Sequence, residues 1–149
     1  MSRKRFDQMQ CSVAQTLEQV GDWWSLLIVR DASFGLRRFA DFERSLGISK
    51  NILTDRLNRL VEHGILERTR LEEPGVRFEY TLTPKGTDLW VVLTAMRLWA
   101  DKWVFGEGNE PLLVRDAKTG GTVRRLLAVD ENNRPVTPAD LEWVLGPGG

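Results

Sequence analysis

Residues 37–63, RRFADFERSLGISKNILTDRLNRLVEH, decide the fold. Phe39, Phe42 and Leu46 recur at spacings of three and four, the period of a short amphipathic helix over Arg38–Leu46. Gly47-Ile48-Ser49 interrupts that period. A glycine accepts the positive φ of a tight turn, and a serine oxygen caps the helix that follows. The second helix runs from Lys50 to His63. Its Leu53, Leu57, Leu60 and Val61 fall at i, i+4, i+7 and i+8, which is one apolar stripe, and Gly64 stops it. His63, one residue before that glycine, reads as a helix-end residue rather than a ligand or a base.

Downstream, the period changes from helical to alternating. Ile65–Arg70 and Arg77–Thr83 read as strands joined across Glu72-Glu73-Pro74-Gly75, where Pro-Gly is a strong turn signal. In the second strand Phe78, Tyr80 and Leu82 share one face. Thr83-Pro84 then starts a helix, threonine as cap and proline at the first helical position. Leu89, Leu93, Met96, Ala100 and Trp103 follow in steps of four, three, four and three, a packing seam with no evident partner inside so small a body. Upstream, Val13, Leu17 and Val20 form a helical stripe ending at Gly21. Trp23–Asp31 is a dense apolar run that periodicity leaves open between helix and strand.

Helix, glycine turn, helix and hairpin in this order predict a winged helix-turn-helix, a mainly α fold with a small β wing (α+β). The first helix of the pair buries its phenylalanines against the second, which is presented to a DNA major groove. The outward side of the second helix carries Ser49, Lys50, Asn51, Thr54, Asp55 and Asn58. Asparagine pairs with adenine in two hydrogen bonds, threonine touches a thymine methyl, and lysine reaches guanine or phosphate. Arg37 and Arg38, at the start of the first helix, are placed for phosphate, and Arg70 and Arg77 on the wing for the flanking backbone. Asp55 either accepts from a cytosine amine or pairs with Arg59 at i+4, and the pairing is preferred. The partner expected is double-stranded DNA.

Twenty-one Lys and Arg balance twenty-one Asp and Glu, so a basic coat is excluded but a local basic face is not. The single cysteine, Cys11, and single histidine, His63, leave no disulfide framework and no metal cluster. No cofactor is expected. No phosphate-cradling glycine loop or nucleophile triad supports an enzyme. No apolar run reaches membrane-spanning length and no signal core follows the basic N-terminus, so a cytoplasmic chain without membrane attachment is expected.

The composition divides the 149 residues into a body, 1–105, and an appendage, 106–149, across the turn-rich Gly106-Glu107-Gly108-Asn109-Glu110-Pro111. The body carries 16 basic and 14 acidic residues and the appendage 5 and 7. In the appendage, Leu112–Arg115 and Thr122–Val129 read as a hairpin around Gly120-Gly121. Thr137-Pro138-Ala139-Asp140 reads as a helix start whose Leu141, Val144 and Leu145 dock it. Such an appendage extends a dimer interface or covers an effector site.

Several ordered motifs resemble the HxlR-type regulators, winged-helix transcription factors related to the MarR group. They are Cys11-Ser12-Val13-Ala14, Gly21-Asp22-Trp23-Trp24-Ser25-Leu26-Leu27-Ile28-Val29-Arg30, Arg37-Arg38-Phe39-Ala40-Asp41-Phe42 and Ile48-Ser49-Lys50-Asn51-Ile52-Leu53-Thr54-Asp55-Arg56-Leu57. Leu60, Gly64, Ile65, Tyr80, Leu82, Thr83 and Gly86 continue the match. The resemblance implies a homodimeric DNA-binding regulator on a palindromic operator, with the first and last body helices in the dimer. Leu89, Leu93, Met96, Ala100 and Trp103 would supply the last helix's share. Where the family often has Gly-Lys-Trp, this chain has Gly21-Asp22-Trp23, so the resemblance brings no phosphate contact at Asp22. Cys11 stands where the family often carries a cysteine that, in some members, senses oxidants. A thiolate favoured by the helix terminus and by Arg3, Lys4 or Arg5 would do so, whereas a packed Cys11 would alkylate slowly and ignore peroxide. Slow alkylation is the expectation.

Two other readings compete. One is a winged helix used only for protein contacts, since fold does not fix function. The other is an aromatic pocket for a planar effector among Trp23, Trp24, Trp90, Trp99 and Trp103, against which plain packing is preferred.

Overall fold

A computed structural model describes residues 5–75 and 77–148. The order of elements is α1 (Ser12–Val20), α2 (Ser25–Ser33), α3 (Phe39–Leu46), α4 (Lys50–Glu62), β1 (Leu66–Arg70), β2 (Phe78–Leu82), α5 (Pro84–Asp88) and α6 (Trp90–Ala100). A π-helical turn, Asp101–Phe105, extends α6, and a 3-10 turn spans Pro138–Asp140. The chain forms two compact units, one through Leu93 and one from Thr94 onward.

The first unit is built on the apolar stripes. Phe42 of α3, Leu53, Leu57 and Leu60 of α4, and Ile28 and Val29 of α2 are wholly or almost wholly buried in one cluster. Val20, Ile48, Ile65, Leu66 and Tyr80 complete it. The apolar run after Trp23 resolves as helix α2. Only its inner side, Ile28 and Val29, enters the core, while Leu26 and Trp24 pack at its margin. Burial on one side is what a helix of this length needs to be stable.

The wing is a two-stranded antiparallel sheet with Leu66 opposite Leu82, Arg68 opposite Tyr80 and Arg70 opposite Phe78. The base of the hairpin is fixed to the core by Leu66 and Tyr80, and its outer half is exposed on β1. The Tyr80 amide donates to the Arg37 carbonyl at 2.8 Å, and Arg38 bridges Glu79, so the segment entering α3 runs along the free edge of β2. That covers part of an edge that would otherwise offer unpaired backbone groups.

Helix α5 sits against the start of the wing through a close backbone approach. Thr83 caps it, its hydroxyl oxygen accepting from the Gly86 amide at 3.1 Å. A β-carbon at Gly86 would lie 2.1 Å from the Ile65 carbonyl oxygen, so only glycine fits. Lys85 reaches back to donate to the His63 carbonyl at 2.6 Å, placing a cation on the C-terminus of α4. His63 is the C-terminal cap residue, as its place before Gly64 implied.

The second unit differs from its sequence reading. In place of the strands expected over Leu112–Arg115 and Thr122–Val129 there are isolated bridges, Arg115 with Thr122 and Val129 with Pro135. A ladder needs a buried face, and these side chains are almost all exposed. The helix expected after Thr137 is a single 3-10 turn, closed by a capping box between Thr137 and Asp140. The chain becomes extended at Leu141. Val144 and Leu145 are 79% and 90% exposed and dock nothing among the described residues.

Candidate nucleic-acid interface

The α3–turn–α4 geometry follows from three residues. Gly47 ends α3 at φ 61°, ψ 26°, its amide donating to the Glu43 carbonyl at 2.9 Å. That left-handed conformation costs glycine little and other residues much more. Ile48 is buried and pins the turn to the core. Ser49, extended, caps α4 by accepting from the Ile52 amide at 3.4 Å, a long contact.

With Leu53, Leu57 and Leu60 turned inward, the opposite face of α4 is set by the helical period. Ser49, Lys50, Asn51, Thr54, Asp55 and Asn58 are all exposed on it, together with Ile52. The Thr54 hydroxyl donates to the Lys50 carbonyl at 2.8 Å, fixing that side chain on the helix. Among the described residues, the side chains of Lys50 and Asn51 have no hydrogen-bond or ion-pair partner. They are therefore available to a ligand. Asp55 pairs with Arg56 and not with Arg59, which corrects the expected i+4 pair. Arg59 is drawn instead toward the Glu18 carbonyl, at 3.4 Å, on the other side of the helix.

The flanking cations fall into two groups. Arg37, Arg70 and Arg77 are exposed and, among the described residues, make no side-chain ion pair. Arg38 is held by the wing's own carboxylates, Glu73 at 3.1 Å and Glu79 at 4.0 Å. It is an N-cap residue of α3 without a side-chain cap, and its guanidinium ties the wing loop to the helix pair. To reach phosphate it must exchange Glu73 for DNA. Val76, within the wing span 70–78, lies outside the described residues.

Sequence reasoning missed Arg68. It lies over the Phe78 ring, 4.8 Å from the centroid, with one nitrogen 3.5 Å from the Asn58 oxygen. It therefore joins the wing to the exposed face of α4. The signal was its spacing of two from Arg70, which places both arginines on one side of β1.

The second missed feature is the anchor behind α4. Asp22, where the family resemblance called for lysine, is 11% exposed and lies 3.0 Å from Arg56 Nε. It also accepts from the Trp24 amide at 2.9 Å, the Ser25 amide at 3.0 Å and the Ser25 hydroxyl. Burial pushes the Asp22 carboxyl up. The hydrogen bonds from Ser25 and Trp24 and the charge of Arg56 outweigh it and hold the carboxyl below its ordinary value. The residue that takes the lysine's place thus closes the α1–α2 turn and fastens it to α4.

The seam expected along residues 89–103 divides. Leu89 and Leu93 pack against the core of their own unit. Met96 and Trp103 are 52% and 66% exposed, Ala100 is intermediate, and Trp90 and Trp99 are exposed beside them. Val13 and Leu17 on α1, and Met9 just ahead of it, are also exposed. Cys11, the N-cap residue of α1, is exposed in the single chain. Arg5, offered as a neighbouring cation, pairs with Asp7 and Glu18, and Arg3 and Lys4 lie outside the described residues.

Known proteins are similar to this chain in sequence and in fold. The family model described as HxlR-like helix-turn-helix matches residues 19–107. An uncharacterized HTH-type transcriptional regulator of Mycobacterium tuberculosis, Rv3095, is 34% identical over 137 residues, spanning 92% of this chain and 87% of its own. The crystal structure of PA1607, assigned as a transcription factor, superimposes with a TM-score of 0.86 at 38% identity, covering 95% of this chain and 99% of that one. The reduced form of the transcriptional regulator YodB from Bacillus subtilis matches at a TM-score of 0.55 and 35% identity, covering 64% and 96%. Among the described residues no helix is long and apolar enough to cross a membrane. The chain belongs to the HxlR-like helix-turn-helix family of transcriptional regulators.

Proposed function

We propose that this regulator binds double-stranded DNA as a homodimer on a palindromic operator. Residues 49–63 enter the major groove, and wing residues 70–78 lie on the flanking backbone. One observation carries the reading. The first three turns of α4 present Lys50, Asn51, Thr54 and Asn58 outward, while Leu53, Leu57 and Leu60 are wholly buried behind them. Short amide and hydroxyl groups beside one ammonium match the donor and acceptor pattern of base edges. Arg37, Arg70 and Arg77 supply phosphate contacts that set register. The exposed apolar side chains of α1 and α6 supply the two-fold contact, and Met96, Ala100 and Trp103 are its centre. Such a regulator works in the cytoplasm, without catalysis.

Selection of bound genomic fragments followed by footprinting tests this. Two protected half-sites about 34 Å apart, related by inverted symmetry, are expected. A single unsymmetric footprint, or no selected sequence, contradicts the reading and favours a winged helix used for protein contacts.

A second reading makes the regulator redox-responsive through Cys11. Its exposure at the start of α1 favours it, and YodB is known in reduced and diamide-treated forms. With one cysteine per chain, oxidation ends in a disulfide between subunits, a mixed disulfide or a sulfenic acid. Peroxide should then change operator affinity in the wild type and leave the Cys11→Ser variant unchanged. Equal affinity with and without peroxide removes this role.

A further inference from the structure

Arg68 of β1 and Asn58 of α4 are both exposed, yet their side chains meet. Arg68 Nη1 donates to Asn58 Oδ1 at 3.5 Å, and among the described residues this is the one hydrogen bond of the Asn58 side chain. A second contact places the guanidinium. It lies 4.8 Å from the centroid of the Phe78 ring, which itself packs against the core cluster. The ring face attracts the cation and leaves its N–H groups free to donate.

A guanidinium carries only donors, whereas an amide has an acceptor end and a donor end. The end that faces Arg68 is therefore the oxygen, since the reverse orientation sets N–H groups against a cation. With the oxygen turned to the wing, the amide nitrogen points away from it. The contact is long and solvent-exposed, so it adds little to folding stability. Its effect is to choose between two orientations of one side chain. Asn51 differs, because its amide has no partner among the described residues and turns either way. Asn58 stands about two turns beyond Asn51, about 10 Å along the helix, so the two face different base pairs.

We propose that Arg68 is a positioning residue for base reading, which holds Asn58 as a donor and so makes it select guanine over adenine. This rests on the reading of α4 above and adds a specificity that the face of α4 does not carry by itself. Adenine offers an acceptor, N7, beside a donor, the N6 amine, and an asparagine matches it only when both amide ends face the base pair. Guanine offers two acceptors, N7 and O6, and takes the nitrogen end alone. Removing Arg68 frees the amide to turn, and adenine becomes acceptable at that position.

The test measures binding of the full chain to a duplex that the wild type selects from a random pool, and to the single-base variants of that duplex, over a range of salt. The chains are the wild type, Arg68→Ala, Asn58→Ala, the double variant and Asn51→Ala. Arg68→Ala and Asn58→Ala should each lower the preference for guanine over adenine at one shared base pair by about five- to tenfold. The double variant should lower it no further than Asn58→Ala alone. An Arg68→Ala chain that binds all duplexes more weakly and with a flatter salt dependence, its base preference unchanged, makes Arg68 a phosphate contact and overturns the positioning role. An Arg68→Ala effect on base preference that persists when Asn58 is already alanine overturns it too. If Asn51→Ala relaxes its own base pair while neither Arg68→Ala nor Asn58→Ala changes any preference, the positioning role falls and α4 still reads sequence. If none of the three changes any preference, the reading of α4 falls with it.

Discussion

Among the described residues, twelve apolar side chains are buried through Leu93 and none from Thr94 onward. The first stretch has helices whose stripes meet in one cluster and a hairpin whose base joins it. The second has turns closed by Asp116, Asp130 and Asp140, which fix local direction without creating an interior. Hydrogen bonding shapes a chain, whereas burial supplies most of the free energy that holds it together. One stretch therefore stabilises itself; the other leaves its large apolar side chains exposed.

That contrast is sharpest at Phe42, which is wholly buried between α3 and its neighbours. Phe42→Ala should cost about 4 kcal/mol of folding stability, measured by urea denaturation. A loss under about 1 kcal/mol would mean that the helix pair is not the core. Asp22 comes next. Asp22→Asn removes a charge that Arg56 and the start of α2 are built around and should cost about 2 kcal/mol at neutral pH. Because folding lowers the Asp22 carboxyl, its contribution is present above the unfolded value and is lost as pH falls through the folded one. Stability of the variant should thus fall less steeply with acid than that of the wild type, and parallel curves would contradict the anchor. Leu127, 53% exposed, marks the other extreme. Leu127→Ala should change stability by less than about 0.5 kcal/mol when measured below the dimer dissociation constant. A large loss there would reveal an interior that the second unit otherwise lacks.

The helix pair and wing were legible because each carries a period. Phe39, Phe42 and Leu46, then Leu53, Leu57 and Leu60, announce which sides are buried, and Pro74-Gly75 announces the turn. Gly47 and Ser49 hold the roles that their chemistry suggested. The ion pairs were not legible, because an arginine's partner depends on tertiary approach. Arg56 meets Asp22 from 34 residues away, and Arg38 meets Glu73 across the wing. The seam on α6 was half legible. Its spacing was right for a packing face, but spacing does not say that Leu89 and Leu93 serve their own core while Met96 and Trp103 do not. In the appendage, apolar residues between turns suggested strands, and only burial, absent there within a single chain, would have made them so.

The proposal that α4 reads sequence is tested most directly at Asn51. Its side chain is exposed, without a partner among the described residues, and sits in the first turn of the helix. Binding of the wild type, Asn51→Ala and Arg37→Ala to a selected operator and to unrelated DNA, across a range of salt, separates the two kinds of contact. Asn51→Ala should weaken operator binding by about 1–3 kcal/mol, relax the preference at one base pair and leave binding to unrelated DNA unchanged. Arg37→Ala should weaken both and flatten the salt dependence. An Asn51→Ala chain that binds the selected operator with wild-type affinity and wild-type sequence preference would contradict α4 as the reading helix.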